Sequence, residues 1–427
     1  MSTENPLSEE NSASAENTSS VSNSSTQAEV REYVVGWLES HLPAEWVRAI
    51  EDGDAEALHK VRDLVPADKW FDSLAAAGLV APDWPAEYGG LGLTGEQRRV
   101  VATELSRYKT PRFYNPIGIN LVGPALLRWG TEEQKAAHLR PIASHREIWC
   151  QLFSEPGNGS DLAGLATMSA RVEGGWHING SKIWSSFAHL ADWGIILTRS
   201  DPDRPKHEGI TVFLLDMKTP GITIRPLRHI TGDHEFNQTF YDDVFVPDSA
   251  RLGPVNEGWT VAQTMLMNER TAGSGQGAAL PGTVSGRSVS AIIARHTPVS
   301  DPELRRRVAQ MWIEDQIITL TNKRIISRRR AGQSTGPEGS IMKLYSSEHT
   351  QRMHDLAIDL EGLNGVAWPE DDRWLKNTAW SFLRVRSKTI AGGTSEIQRN
   401  ILGERVLGLP REPGLPKSTP WREIPRG

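Results

Sequence analysis

The sequence predicts an α+β protein with a helical domain, a middle antiparallel β domain and a second helical domain. In the first part, apolar residues recur three or four positions apart, which is the spacing of one helix face. From about residue 149 the apolar period shortens towards two, as in half-buried strands. After about residue 258 the helical spacing returns. The three patterns predict domains over residues 29–148, 149–249 and 250–410.

A polar tail, residues 1–28, precedes the first helical domain. It contains almost no large apolar side chains, so it cannot bury enough surface to offset the entropy of ordering, and we expect it to be disordered.

In the helical domain, Thr131 and Gln134 form a capping-box pattern that predicts the start of a helix after Gly130. A turn-rich loop is expected over residues 82–92. The helical spacing is clearest at four apolar residues, Val34, Trp37, Leu38 and Leu42.

Short apolar runs in the middle domain predict antiparallel strands. Residues 176–184 predict two strands joined by a turn at Asn179-Gly180, a dipeptide typical of tight hairpins. Further strands are expected at residues 194–198, 210–215 and 239–246.

One long helix and a tail are expected in the last part of the chain. Leu304, Val308 and Met311 have helical spacing, and the pattern predicts a single helix that runs to about Arg330. Residues 411–427 are rich in proline, which predicts an extended tail.

Composition argues against several classes of protein. The net charge of −6 does not favour a general nucleic-acid or membrane-surface binder. No apolar run is long enough for a transmembrane helix, and the N-terminus lacks the pattern of a secretory signal. Cys150 is the single cysteine, which rules out an intrachain disulfide, and the histidines show no metal-ligand spacing. No Gly-x-Ser-x-Gly pattern supports a hydrolase. A cytoplasmic protein without a bound metal is therefore expected.

Residues 390–399 are the most informative part of the sequence. They read Ile-Ala-Gly-Gly-Thr-Ser-Glu-Ile-Gln-Arg and resemble the C-terminal signature of acyl-CoA dehydrogenases. Residues 151–162 are similar to the Thr-Glu-Pro-x-Ala-Gly-Ser-Asp segment of the same family. The resemblance covers roughly residues 30–410. It implies the acyl-CoA dehydrogenase fold, bound FAD, an acyl-CoA substrate, an electron-transfer flavoprotein as acceptor, and either a homotetramer or an α2β2 heterotetramer.

The resemblance also implies which residues hold FAD and substrate. Phe153 and Ser154 would contact the pyrimidine edge and N5 side of the flavin, and Trp184 and Ser186 would close the ring from its other side. A flat apolar wall and nearby donors suit a flavin. Further contacts are implied for Arg295 and Thr297 at the pyrophosphate, Thr394 and Glu396 at the adenosine half, and Ser160 at the acyl-CoA pantetheine or phosphate.

Two segments depart from the family pattern. After Arg295 the family often carries a Phe-Gly pair, which this chain lacks. At Asp359–Gly365 the family tends to have Gln-x-x-Gly-Gly-x-Gly, and an aspartate is a poor neighbour for an anionic pyrophosphate. We therefore expect weakened or rearranged cofactor contacts there.

The position of the catalytic base is the main question that the resemblance raises. In many members a Glu in the C-terminal signature removes the substrate α-proton, and here that position is Gly392. Its backbone N–H would still serve the thioester oxygen, where negative charge develops. Some branches of the family place the base on an earlier helix as Glu directly before Arg, and Glu269-Arg270 matches that arrangement. The hypothesis is that Glu269 is the base and that Arg270 orients the site or holds substrate. The alternative is a solvent-exposed pair.

The pair Ala391 and Gly392 replaces an aromatic ring and a carboxylate of the family pattern. The freed space suggests a bulky or branched acyl group, such as a polycyclic or steroid-side-chain type, unless Glu269 fills it. Two other functions stay open at this point. The chain could be a non-catalytic partner subunit of a heteromeric dehydrogenase, or an acyl-CoA oxidase.

Overall fold

The chain divides into two compact units, Met1–Pro111 and Arg112–Gly427. The computed structural model describes residues 21–61, 64–110, 115–271, 294, 296, 298–331, 333, 338–368 and 378–425.

The first unit is helical. Val34 and Leu38 are fully buried on the first helix, as the apolar spacing predicts. That helix begins at Gln27, two residues before the expected domain boundary at residue 29, and Thr26 and Glu29 form a capping box at its start. Residues 1–20 lie outside the described part of the chain. The helices are α1 Gln27–His41, α2 Ala44–Glu51, α3 Ala55–Val61, α4 Ala67–Ala76 and α5 Gly95–Arg107.

The next two helices belong to the second compact unit. Polar side chains join this region to the sheet. Asn115 Oδ1 accepts the Trp149 N–H at 3.1 Å, which fixes the start of the first strand. Gln134 Nε2 donates to the carbonyl of Arg251 at 3.0 Å. The first bond comes from the loop before these helices and the second from within them, and both join this region to the sheet of the same unit. The elements are a π-helical turn Gly118–Val122, α6 Gly123–Trp129 and α7 Glu132–Ala143.

A half-buried histidine follows α7 and should make the stability of this unit depend on pH. Burial lowers the pKa of His145 from its usual 6.5 to about 4. Between pH 6.5 and pH 4, His145 is protonated in the unfolded chain and neutral in the folded chain. Its contribution to the free energy of unfolding is therefore fully present above about pH 6.5 and is lost as the pH drops. We expect wild type to lose about 2 kcal/mol between pH 7 and pH 5, and His145→Asn to lose much less.

Denaturant unfolding at the two pH values measures the effect of His145. Asn is the matched replacement because it tolerates the left-handed backbone at this position, where φ is +58°. The exposed His234 provides the control substitution His234→Asn. Equal acid sensitivity in all three proteins would contradict the assignment to His145.

The sheet of the second unit has eight strands in the described residues. Its order is β6-β7-β3-β2-β4-β5-β8, and β1 pairs with β4. The core between its strands and loops is apolar and includes the fully buried Cys150. The strands are β1 Trp149–Leu152, β2 Met168–Val172, β3 Gly175–Ser186, β4 Trp193–Arg199, β5 Ile210–Asp216, β6 Ile222–Leu227, β7 Phe236–Pro247 and β8 Arg251–Leu252.

The predicted hairpin turn at Asn179-Gly180 is wrong, because β3 continues through both residues. Instead, the pairing of β3 with β7 shifts register between Ile178 and Gly180. Gly180 has φ +145°, and the Asn179 side chain accepts the N–H of Asp243 at 2.8 Å. The dipeptide therefore forms a bulge, a second structure that Asn and Gly support.

The sheet is not purely antiparallel, which corrects a second expectation. β1 runs parallel to β4, from Trp149 beside Trp193 to Leu152 beside Ile196. Three of the four β1 residues are buried, as is usual for a parallel pair covered on both faces. This pairing places the end of β1 inside the sheet, where the predicted flavin segment begins.

The second helical part follows the sheet. The predicted long helix is confirmed and ends at Arg330. It pairs with the next helix through Glu314, which binds His349 Nδ1 and Arg352 at 2.9 Å each. None of the described helices is long and apolar enough to cross a membrane. The helices are α8 Gly258–Thr271, α9 Pro302–Arg330, α10 Glu338–Glu361, α11 Leu363–Val366, α12 Thr378–Arg384 and α13 Ser395–Arg405, with a 3-10 turn at Val385–Thr389.

The expected extended tail does not stay extended. Residues Trp421–Glu423 form a 3-10 turn, and Trp421 is only 6% exposed. A single tryptophan among the prolines supplies enough apolar surface to hold this segment against the unit.

Candidate active site

The backbone after β1 is held against β3. The carbonyl of Phe153 accepts a hydrogen bond from Lys182 Nζ at 3.0 Å, and the carbonyl of Ser154 accepts the Ile183 N–H at 2.8 Å. The Phe153 ring is buried, whereas Ser154 is half-buried. Among the described residues its hydroxyl has no hydrogen-bond partner. Ser154 therefore offers a half-buried hydroxyl on a fixed backbone just after β1.

A buried ion pair supports this segment. Lys182 Nζ lies 2.8 Å from Glu155 Oε1, and the Lys182 side chain is fully buried. The other bonds to the Glu155 carboxylate come from the N–H groups of Ala166, at 2.6 Å, and Thr167, at 2.9 Å. These bonds close the loop between β1 and β2 on the end of β1.

Burial and pairing act in opposite directions on the two charges. Burial lowers the pKa of Lys182 to about 8, and the Glu155 carboxylate limits the fall. Burial would raise the pKa of Glu155, but Lys182 and the hydrogen bonds outweigh it, and the net shift is downward. Both groups are therefore charged at neutral pH. Each stabilises the other, because an unpaired buried charge is strongly destabilising.

Trp184 is an exposed aromatic wall beside Ser154. The β3–β7 pairing is irregular between Lys182 and Ser185, and Trp184 has φ +61°, an unusual value for a bulky residue. The side chain is 57% exposed. Its ring meets the edge of Phe236 at a centroid distance of 5.9 Å. A bulge that holds a large apolar ring out in solvent is a costly feature, and such features cluster at ligand sites.

Ser186 and Ser160 lie on either side of this region in sequence. Ser186, the last residue of β3, is half-buried opposite Phe236. Ser160 is exposed in the loop that follows Glu155. Among the described residues neither hydroxyl has a hydrogen-bond partner, so both remain available to a ligand.

The loop of residues 389–393 has a backbone that only glycine adopts easily. Gly392 has φ +67° and Gly393 has φ +91°, where a β-carbon is strained. Gln398 Nε2 donates to the carbonyl of Gly392 at 3.1 Å, and Lys343 donates to the carbonyl of Gly393. In the part of the chain that the structure describes, the N–H of Gly392 has no hydrogen-bond partner. The loop is fixed by its carbonyls and leaves this donor free.

Thr394 and Glu396 begin α13. The Thr394 hydroxyl caps the helix by accepting the Ile397 N–H at 3.2 Å. Glu396 is exposed, and its pKa is lowered by its own backbone N–H and by the Thr394 hydroxyl. Both line a groove of about 490 Å³ on α10 and α13, together with Arg352 and Arg399. The groove is polar and open, which suits a ribose or adenine better than an acyl chain.

Helix α8 carries the predicted base. Residue 269 lies one turn after Met265, which is fully buried, and the backbone of α8 contacts α10. Since α10 also holds the 389–393 loop through Lys343, one helix contacts both candidate catalytic segments. The side chains of Glu269 and Arg270, and the positions of Arg295 and Thr297, lie outside the described residues.

In the second segment that departs from the family pattern, Asp359 has a partner within the chain. Asp359 forms an ion pair with Arg307 at 2.7 Å, and Leu363 is 89% exposed. Asp359 is therefore occupied within the chain.

Three potential metal ligands lie together in the loop between β6 and β7. The ligand atoms of His229, Asp233 and Glu235 are within 4.8 Å of one another. Each is already bonded. Glu235 accepts from His229 Nε2 at 2.6 Å and pairs with Arg384 at 3.0 Å. Asp233 accepts the Trp380 indole N–H at 2.8 Å. The cluster is an ion-pair network, and Arg384 supplies the positive charge.

Sequence reasoning missed the residues that support the site. Lys182 lies within residues 176–184, which predict strands, but the resemblance implies no role for it. Alternation along β3 does contain a signal, because residue 182 has the same parity as the buried apolar residues Trp176 and Ile178. Lys343 and Gln398 carried no such signal, because their roles depend on contacts distant in sequence.

The order of a helical part, a β part and a second helical part is that of the acyl-CoA dehydrogenase fold. The N-terminal, middle and C-terminal domain models of that family match residues 24–146, 150–244 and 256–407. The chain belongs to the acyl-CoA dehydrogenase family, whose named members are oxidoreductases.

Three known proteins show how near the resemblance is. Acyl-CoA dehydrogenase FadE34 of Mycobacterium tuberculosis (strain ATCC 25618 / H37Rv) is 40% identical over 352 residues, 81% of this chain. The chain spans only 47% of the length of FadE34. Acyl-CoA dehydrogenase IpdE1 of the same organism is 36% identical over 90% of this chain and 98% of its own length. A solved structure named Tcur3481-Tcur3483 steroid ACAD is 28% identical, with a TM-score of 0.71 over 90% of this chain and 98% of its own.

Proposed function

We propose that the chain catalyses the FAD-dependent α,β-dehydrogenation of an acyl-CoA thioester to a trans-2-enoyl-CoA. The observation that carries the proposal is the link between Ser154 and the strand position next to Trp184. The Ile183 N–H donates to the carbonyl of Ser154, so a half-buried hydroxyl is held to the residue that precedes an exposed indole, and a flavin ring needs both a donor and a flat wall. We propose that FAD binds here, with Phe153 and Ser186 as further contacts.

The reaction divides between cofactor and protein. FAD, when bound, accepts the β-hydride at N5. Glu269 on α8 takes the α-proton onto its carboxylate, so the C–H electron pair becomes the new double bond. The N–H of Gly392 donates to the thioester oxygen as negative charge develops there. Arg270 holds substrate or orients the carboxylate, and Ser160 contacts the CoA part. Arg295, Thr297, Thr394 and Glu396 complete the FAD site at the pyrophosphate and the adenosine half.

The acyl group is proposed to be bulky. Ala391 and Gly392 are both exposed, so the loop leaves open space where the family pattern has a ring and a carboxylate. The name of the Tcur3481-Tcur3483 enzyme, a steroid acyl-CoA dehydrogenase, supports a polycyclic substrate. We expect an acyl-CoA with a steroid side chain to be turned over at least tenfold more efficiently, as kcat/KM, than linear short-chain acyl-CoAs. A panel in which only linear short chains react would reject the bulky substrate.

An oligomer is also part of the proposal, as a homotetramer or an α2β2 heterotetramer. Helix α9 exposes Trp312, Ile313, Ile317 and Leu320, which recur on one helical face. Such a face is suited to burial against another subunit. The solution mass of the purified chain separates a self-assembled tetramer from a chain that needs a partner.

Expression of the chain alone tests the proposed activity against the two alternatives. Bound flavin that is bleached by acyl-CoA, with electrons passed to an electron-transfer flavoprotein, supports the dehydrogenase. Oxygen consumption without that acceptor supports the oxidase. A chain that binds no flavin until a second subunit is added supports the partner-subunit role.

A further inference from the structure

The segment of residues 416–425, here called the C-terminal strap, lies beyond residue 407, where the match to the family's C-terminal domain ends. Its backbone pairs with the loop after β4. The N–H of Trp421 donates to the carbonyl of Arg204 at 2.9 Å, and the N–H of Arg422 donates to that of Pro202 at 3.1 Å. Trp421 is 6% exposed. The strap is therefore docked on the second unit by backbone bonds and by one buried ring.

Trp421 contacts the turn of residues 160–164, which includes Ser160, the residue predicted to contact substrate. Its indole N–H donates to the carbonyl of Gly164 at 3.0 Å. The guanidinium of Arg199 lies 4.9 Å from the indole centroid and donates to the neighbouring carbonyl of Ala163 at 2.6 Å. Two successive carbonyls of the turn are thus held by two side chains that stack on each other.

The same turn is tied at its other ends. Asp161 forms an ion pair with Lys206 at 2.7 Å, and Lys206 in turn offers its carbonyl to Arg199 at 2.8 Å. Downstream, the N–H groups of Ala166 and Thr167 bind the buried Glu155 carboxylate. Among the described contacts of this turn, the strap supplies the one from farthest along the chain, 257 residues away.

We propose that Trp421 is a positioning residue that fixes the Ser160–Gly164 turn for binding the CoA half of the substrate. The inference rests on the proposed function, because it takes the turn as the CoA contact. The strap holds the turn that contacts CoA, and CoA is the part of the thioester remote from the reacting carbons. Its loss therefore weakens binding of CoA and leaves the rate of flavin reduction by a thioester without the nucleotide unchanged.

Three variants of the full chain test this role. Trp421→Ala removes the ring and its hydrogen bond, and Trp421→Phe keeps a ring on Arg199 but removes the N–H donor. Arg422→Ala is the matched control. Arg422 lies in the same strap, and its exposed ion pair with Asp203, at 2.6 Å, is lost in this variant. Within the described residues, the Arg422 side chain has no hydrogen bond or ion pair with the turn. Flavin content shows whether each variant is folded.

The primary readout is the Kd for free CoA by titration calorimetry. The second is the rate of flavin reduction by a saturating acyl-N-acetylcysteamine, a thioester that lacks the nucleotide. We expect the Kd to rise about tenfold in Trp421→Ala and about threefold in Trp421→Phe, with no change in Arg422→Ala. The reduction rate should stay within about twofold in all three.

An unchanged Kd in Trp421→Ala overturns the inference, as does a failure of the wild type to bind CoA. An equal rise in Arg422→Ala also overturns it. If the wild type binds CoA but no thioester reduces its flavin, the proposed reaction fails, while the Kd series still decides the role of the strap.

Discussion

Replacing Glu269 with Gln is expected to slow flavin reduction by acyl-CoA about 10³-fold, within the range of a general base. A carboxamide has almost the same shape as a carboxylate but cannot accept the α-proton. Because Glu269 is not proposed to contact FAD, the flavin content should stay at the wild-type level. Stopped-flow mixing under anaerobic conditions, followed by the loss of flavin absorbance, measures the rate.

Two further variants show whether the effect belongs to this carboxylate. Glu257→Gln is the matched control, because Glu257 is an exposed acid immediately before α8. It should reduce its flavin at the wild-type rate. Glu269→Asp keeps a shorter carboxylate and should lie between wild type and Glu269→Gln. Near-normal reduction in Glu269→Gln would remove Glu269 as the base and favour a non-catalytic or differently arranged site.

The second large effect is expected from Lys182→Met. The change leaves the Glu155 carboxylate buried without its counter-charge, which typically costs about 3–5 kcal/mol. It also removes the donor to the Phe153 carbonyl, so the segment proposed to hold the flavin loses a fixed partner. We expect a lower free energy of unfolding and a preparation that retains little flavin. Denaturant unfolding and the ratio of flavin to protein absorbance measure the two effects.

We expect the loss of stability in Lys182→Met to come from the missing charge and not from the shorter side chain. The double variant Lys182→Met/Glu155→Gln removes both charges and should recover more than half of the lost stability. Lys218→Met is the control, since Lys218 pairs with Asp192 at 3.4 Å on the surface and is 78% exposed. It should cost less than about 0.5 kcal/mol. Equal losses in Lys182→Met and Lys218→Met would contradict the role of the buried pair.

Local signals explain which parts of the fold were predictable. The capping box of Thr131 and Gln134 is present, and the long helix ends at Arg330 as expected. Both depend on residues a few positions apart. The strand over residues 175–186 was misread because Asn-Gly serves a bulge as well as a turn, and only the partner strand decides between them.

The site was predictable only where a motif carries it. Phe153, Ser154 and Trp184 are proposed from the resemblance, and in the structure Ser154 is bonded to Ile183, the residue before Trp184. The side chains that hold them were not found, because pairs such as Glu155 with Lys182 depend on strand pairing over 27 residues. The contact of Trp421 with Gly164 spans 257 residues and has no motif.

The central claim is that this chain is itself a flavin-dependent dehydrogenase with Glu269 as its base. A single anaerobic turnover tests it most directly, with wild type and Glu269→Gln each mixed with a saturating steroid-side-chain acyl-CoA. The account predicts that wild-type flavin is bleached and one enoyl-CoA forms per flavin, while Glu269→Gln keeps its flavin oxidised on the same timescale. Bleaching of both proteins at the same rate, or of neither, would contradict it.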